Sequence, residues 1–159
     1  MPAKTQIRRA RLDEAPSLTE LTMRSKAYWQ YAAAFLADAR QEREFQPNKF
    51  LPDFHVYILE RVGQVLGFCS LIPIGNDSIE LHDLFVEPSY IGKGYGKQLW
   101  DHSVSLVREL GFRTLVLTAD PNAEPFYARQ GAVRTGERES SVRSDRKLPI
   151  MEYRISDKA

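Results

Sequence analysis

The stretch from Val86 to Trp100 constrains this chain more than any other. It sets three alternate glycines, Gly92, Gly94 and Gly96, and two lysines, Lys93 and Lys97, between an apolar run and an amphipathic one. The apolar run, Leu84-Phe85-Val86, reads as the end of a buried strand. Beyond the glycines, Leu99, Ser103, Leu106, Val107 and Leu110 recur at spacings of three and four, so they share one helix face. Strand, glycine loop and helix in that order bring bare backbone to a helix N-terminus. There the N–H groups point outward and an anion is favoured. The lysines add positive charge, and the physical reading is a cradle for a diphosphate.

Two familiar phosphate loops do not fit. A P-loop needs Gly, four residues, then Gly-Lys-Ser/Thr. Counted from Gly96-Lys97, Ile91 stands where the first glycine belongs and Gln98 where the hydroxyl belongs. The dinucleotide fingerprint Gly-x-Gly-x-x-Gly fails as well, ending on Lys97 from one start and on Leu99 from the other.

What the loop resembles is motif A of the GNAT superfamily, the acetyl-CoA-dependent N-acetyltransferases. That motif reads Arg/Gln-x-x-Gly-x-Gly/Ala, here Ile91-Gly92-Lys93-Gly94-Tyr95-Gly96, with Ile91 departing at the Arg/Gln position. Val86-Glu87-Pro88 and the loop aromatic Tyr90 also fit. A second segment, from Asp120 to Ala132, is similar to the family's Asn-x-x-Ala-x-x-Phe-Tyr-x-x-x-Gly-Phe in a slightly altered spacing. It holds Asn122, Ala123, Phe126, Tyr127 and Gly131. The resemblance implies acetyl-CoA as co-substrate. Its diphosphate would be held by the backbone of Ile91, Gly92, Lys93, Gly94, Tyr95, Gly96 and Lys97, and Asn122 and Tyr127 would be further contacts.

A length of 159 residues suits one domain with a real core. Hydrophobic content of 43% and charged content of 27% argue against disorder. A net charge of +1 gives no support for broad nucleic-acid or membrane-surface binding. The lone Cys69 excludes an internal disulfide and a cysteine-rich metal site, and its apolar surroundings suggest a packed thiol. His55 and His102 have no ligand partners at metal spacing, so no metal is expected. No apolar stretch follows Met1 and no run approaches the ~20 residues of a membrane span, so the expectation is a cytoplasmic, soluble protein.

Along the chain, Thr5 to Ala10 reads as a strand. Asp13 is placed to cap a helix with Pro16 in its first turn, and an alanine-rich helix is expected from Tyr28 to Arg43. Val56 to Leu59 and Val65 to Ile74 form a hairpin around Gly63, and Ser78 to Val86 is a third consecutive strand. The helix from Gly94 stops at Gly111; a strand from Arg113 to Thr118 and a short helix ending at Gly131 follow. Two strands, Ala132 to Ser140 and Leu148 to Ile155, close the chain. The order is β-α-α-β-β-β-α-β-α-β-β. The resemblance implies an α/β (α+β) fold of GNAT type, a mixed twisted sheet of six to seven strands with helices on both faces. Residues 1–159 would form this one acetyltransferase domain.

On the strand before the loop, Glu80, His82, Leu84 and Val86 share one face, and Leu81, Asp83 and Phe85 the other. An ammonium acceptor must lose a proton before its nitrogen attacks a thioester, and a carboxylate or imidazole can take it. Glu80 and His82 are therefore base candidates, and the resemblance supports both positions. Both are equally readable as hydrogen-bonded strand residues. Asp83 enters only if a bulge re-aims it. Tyr127 matches the family tyrosine that protonates the departing thiolate, and a phenol can do that. The strand end Leu84, Phe85 and Val86 would offer backbone to the pantetheine arm, one N–H polarising the acetyl carbonyl. Cys69 has no basic neighbour in sequence and is a poor nucleophile. Asn122 also reads as a helix N-cap or a turn residue.

The aromatic cluster Tyr28, Trp29, Tyr31 and Phe35 reads as core or as the wall of an acceptor pocket. The charged stretch from Arg134 to Lys147 reads as a solvated edge, a pocket rim or a homodimer interface. The acceptor would be the amine of a small molecule or a peptide. The competing expectation is a module that holds acyl-CoA without turning it over.

Overall fold

In the computed structural model, which describes residues 4–28, 53–139 and 147–155, seven strands make one sheet. Strand β1 (Gln6–Arg9) leads through a short 3-10 turn into helix α1 (Ala15–Ala27). Strands β2 (His55–Arg61), β3 (Gln64–Pro73) and β4 (Ser78–Val86) run as an antiparallel meander. Helix α2 (Tyr95–Glu109), strand β5 (Thr114–Thr118) and helix α3 (Glu124–Arg129) follow. A terminal antiparallel pair, β6 (Val133–Glu139) and β7 (Lys147–Arg154), completes the set. The order across the sheet is β1-β2-β3-β4-β5-β7-β6, and β4–β5 is its one parallel pair. The mixed α/β architecture and the sheet of seven strands are those expected. Residues 29–43 of the expected second helix lie outside the described residues.

Two apolar clusters, one on each face of the sheet, explain why the strands are so hydrophobic. Leu99, Trp100, Leu106 and Val107 of α2 pack onto Leu59, Leu66, Cys69, Leu71, Ile79 and Leu81. Leu18 and Leu21 of α1 pack onto Phe54, Val56, Ile58 and Phe68 on the opposite face. Strands covered on both sides read as near-continuous apolar runs. Helices α2 and α3 close alike. Phe112 N–H donates to Val107 C=O at 3.1 Å after α2, and Ala132 N–H to Tyr127 C=O at 3.1 Å after α3. These are the crossing bonds of a glycine-terminated helix end.

Asp13 does not cap α1. It pairs with Arg11 at 3.4 Å in solvent, and Glu14 takes the structural role instead. The Glu14 carboxylate accepts the Arg11 N–H at 2.8 Å and both terminal nitrogens of Arg8 at 2.9 and 2.8 Å. Among the described residues no helix is long and apolar enough to cross a membrane.

Candidate active site

The site begins where the sheet opens. Strands β4 and β5 pair only at Ser78 with Thr114, Ile79 with Leu115 and Glu80 with Val116. Beyond Glu80, β4 keeps its pairing with β3, and β5 keeps its pairing with β7, so the two strands part. Into the gap opens a cavity of about 570 Å³. Leu81, His82, Leu84, Phe85 and Val86 bound it on one side, and Leu117 and Thr118 on the other. The β5-facing edge of β4 beyond Glu80 has no strand partner, so its peptide groups are available to a ligand in the gap.

The glycine loop forms the far rim. Gly92 and Gly94 lie at φ of 86° and 89°, the left-handed region that side chains rarely adopt. Gly96 lies beside Phe126 and Val86, where a Cβ would stand 3.4 and 3.8 Å from them, ordinary packing distances. It is the point where α2 closes on α3. Gly94 occupies the N-cap position of α2 with no side-chain cap, and the amides of residues 92–97 find no backbone acceptor among the described residues. Ile91, Gly92, Gly94, Gly96 and Lys97 all line the cavity. Lys97 is tempered by an ion pair to Asp101 at 2.8 Å. Lys93 and Tyr95 belong to the same loop and helix start but are not among the lining residues.

A bulge reorganises the base candidates. On β4, Asp83 pairs with Ser70 and Leu81 with Leu71, leaving His82 as the extra residue. Alternation inverts past it. Leu84 and Val86 join the cluster on the α2 face, where Ile79 and Leu81 already lie, and Phe85 joins the one on the α1 face. Asp83 shares the Phe85 face, so it is re-aimed as a bulge would require. It is buried at 3% exposure and accepts the Ser70 hydroxyl at 2.6 Å. His82 lines the cavity, its ring edge-on to Phe54 with centroids 5.7 Å apart. Its Nδ1 lies 2.7 Å from Glu80 Oε1. Glu80 itself does not line the cavity. The His82 hydrogen bond, aided by its charge and that of Arg138, holds the Glu80 carboxyl below its ordinary range against the opposing effect of burial. The contact with Glu80 orients the imidazole in the cavity wall.

Opposite these groups stands Tyr127, 7% exposed, on α3 and in the cavity wall. Its ring packs against Trp100 at 5.7 Å and Phe126 at 5.1 Å. Asn122 lines the cavity too, but it is not the helix cap: Ala123 holds that position, and Asp120 Oδ1 accepts the Asn122 N–H at 2.9 Å. Cys69 is fully buried, and burial pushes its thiol up to about 12, as suits a packed rather than a nucleophilic cysteine. Of the aromatic cluster, Tyr28 is 48% exposed, and Trp29, Tyr31 and Phe35 lie outside the described residues. The β6 residues from Val133 to Glu139 are all exposed. Sequence reasoning missed Ser25 and Lys26 at the end of α1, which line the cavity. The Lys26 ammonium lies 5.9 Å from the centroid of the Phe85 ring. A lysine inside a weakly amphipathic helix carries no signal that it faces a cavity.

A seven-stranded mixed sheet that opens beside a capless glycine loop defines a class, and the comparisons place the chain in it. The chain belongs to the acetyltransferase (GNAT) family, whose model matches residues 17–132, and it is an acyltransferase. It is 30% identical over 135 residues to the peptidyl-lysine N-acetyltransferase YjaB of Salmonella typhimurium, covering 84% of this chain and 86% of that protein. Its fold is shared by the PaiA N-acetyltransferase of Thermoplasma acidophilum in complex with coenzyme A. The TM-score is 0.77 at 19% identity, over 95% of this chain and 99% of that one. It is shared also by the yncA protein of Salmonella typhimurium with its cofactor acetyl-CoA. There the TM-score is 0.68 at 21% identity, over 98% and 96% of the two chains.

Proposed function

We propose that this protein transfers the acetyl group of acetyl-CoA to a primary amine of a small molecule or a peptide, by direct attack in a ternary complex. The observation that carries the reading is the gap between β4 and β5. One end of it is rimmed by the amides of residues 92–97, and Tyr127 and His82 stand in its walls. In this reading the loop amides and the α2 N-terminus hold the coenzyme's diphosphate. The open edge at Leu84, Phe85 and Val86 takes the pantetheine arm as a strand takes its neighbour, and one N–H polarises the thioester carbonyl. Asn122 is a further contact on the α3 side.

His82, oriented by Glu80, removes a proton from the acceptor ammonium. A base held in place by a carboxylate is a common arrangement for activating a nucleophile. The freed nitrogen attacks the carbonyl, a C–N bond forms and the C–S bond breaks. Tyr127 donates its phenolic proton to the departing thiolate. The relative named for peptidyl-lysine acetylation favours a lysine side chain among the acceptors. A substitution of Tyr127→Phe keeps the ring packing and removes only the proton donor.

The test follows thiol release from acetyl-CoA over a panel of amines and lysine peptides, with wild type and Tyr127→Phe side by side. Turnover by the wild type and a kcat lower by about a hundredfold in the variant, at unchanged KM for acetyl-CoA, is the expected result. Equal rates in the two would remove Tyr127 as the acid. One observation favours a second reading, a module that binds acyl-CoA without turnover: the loop carries Ile91 where the family pattern has Arg or Gln. Tight coenzyme binding with no acceptor consumed would support it.

A further inference from the structure

The hairpin joining β2 to β3 turns on Val62 and Gly63, both at positive φ, 50° and 77°, as a type I′ turn requires. Asn-Gly is the sequence such a turn prefers. A β-branched residue there is an outlier, and Val62, at 84% exposure, gains little packing in return. Backbone strain of this kind persists only where the surroundings over-determine it, and it gathers at functional sites. The residues on either side of the strained turn are Arg61 and Gln64, paired with each other across the hairpin.

Both reach the glycine loop. Arg61 Nη1 donates to the Tyr95 hydroxyl at 2.9 Å, and the guanidinium carbon lies 5.8 Å from the centroid of the Tyr90 ring. Gln64 Nε2 donates to the Tyr90 hydroxyl at 2.8 Å. Tyr90 and Tyr95 meet edge to face at 6.0 Å. These two tyrosines bracket residues 91–94. Within that span a Cβ on Gly92 or Gly94 would meet nothing within 4 Å, so the loop glycines themselves are not wedged in place by neighbours.

We propose that Arg61 and Gln64 are positioning residues for the coenzyme loop. From the strained hairpin they fix Tyr90 and Tyr95, and through them hold the amides of residues 92–97 in the arrangement that receives a diphosphate. The inference rests on the reading of that loop as the diphosphate site. It adds that the site's preorganisation is supplied from a different part of the sheet, at the far end of the β2–β3 hairpin. Freezing a loop before binding raises affinity by removing an ordering cost from the binding step.

The experiment titrates coenzyme A, 3′-dephospho-coenzyme A and pantetheine calorimetrically into wild type, Arg61→Ala, Arg61→Lys and Tyr95→Phe. Arg61→Ala is expected to weaken coenzyme A and the dephospho form equally, by about tenfold, the scale of one hydrogen bond and one cation–π contact. Pantetheine, which lacks the diphosphate, is expected to bind as before. Tyr95→Phe, which removes only the accepting hydroxyl, should show a smaller loss of the same pattern, and Arg61→Lys should restore part of it. Unchanged coenzyme A binding in Arg61→Ala would overturn the proposal. So would a loss confined to coenzyme A, since Arg61 would then touch the 3′-phosphate directly, or a loss shared by pantetheine, which would mark general damage to the fold. If wild type binds coenzyme A no more tightly than pantetheine, the diphosphate reading itself fails and takes this proposal with it.

Discussion

At the scale of single residues, Val62 stands out because its backbone is at odds with its side chain. A left-handed φ costs an ordinary L-residue roughly 1–2 kcal/mol, and β-branching makes the conformation still less comfortable. Asparagine tolerates it and completes the Asn-Gly pair that type I′ turns prefer. Val62→Asn should therefore stabilise the protein by about 1 kcal/mol, read as a raised midpoint in urea unfolding at unchanged slope. The hairpin register that presents Arg61 and Gln64 would be preserved, so coenzyme binding should stay as it is. His82 is a residue of another kind. Its chemistry was visible from the outset, but its place was not. The sequence carries a trace of the bulge, since His82 and Asp83 are adjacent polar residues and the apolar phase of Ile79 and Leu81 resumes one residue late at Leu84 and Val86. Which residue is the extra one is fixed by the pairing of Ser70 with Asp83 and of Leu71 with Leu81. It leaves His82 facing the cavity, with Glu80 behind it.

At the scale of elements, the end of β4 is held close by β3. Gly67 lies opposite Val86. A Cβ at Gly67 would stand 2.7 Å from the Phe85 carbonyl oxygen, 3.1 Å from Leu99 and 3.3 Å from the Val86 backbone. Two of these three neighbours are main chain and cannot swing aside. Gly67→Ala should destabilise the protein by about 1–3 kcal/mol. It should also weaken coenzyme A binding, because the displaced backbone is the stretch proposed to receive the pantetheine arm; unfolding and calorimetry on the same variant check both. Strand β4 was legible to the residue, Ser78 to Val86, because its apolar run is bounded by Gly75-Asn76-Asp77 on one side and Pro88 on the other. Helix α2 was legible because its apolar spacing is regular. The part played by the acids before α1 was not: Asp13 and Glu14 are adjacent, and the position of Arg8 on β1 selects Glu14, which holds Arg8 and Arg11 without its side chain capping the helix. Asn122 reads from sequence as a cap or a turn residue, and it takes the turn: Ala123 holds the cap position, and Asp120 two residues earlier accepts the Asn122 N–H.

At the scale of the whole molecule, acid should act through a few paired carboxylates. The bidentate hydrogen bond from Arg8 is the chief cause that holds Glu14 below its ordinary value of 4.5, and the His82 bond does the same for Glu80. Both groups have lower pKa values folded than unfolded. As pH falls, the unfolded chain takes up these protons first, which favours unfolding. The stabilisation is therefore fully present above the ordinary carboxylate range and is lost as pH falls through the folded values. Arg8 also holds Glu60 at 3.1 Å, so Arg8→Met removes both pairings. It should lower stability most at pH 7 and least near pH 3, flattening the acid limb of urea midpoints measured across that range. An equal loss at every pH would mean that packing of the Arg8 stem, not its charge, is what matters.

The parting of β4 from β5 has a mechanical meaning as well. Strands β1 to β4 form one wing of the sheet and β5, β7 and β6 the other, and along the sheet they are sewn together by three residue pairs at a single end. A thread laid along the open side would stitch the wings at their free margins, so the molecule that delivers the acyl group would also complete the fabric of the protein that uses it.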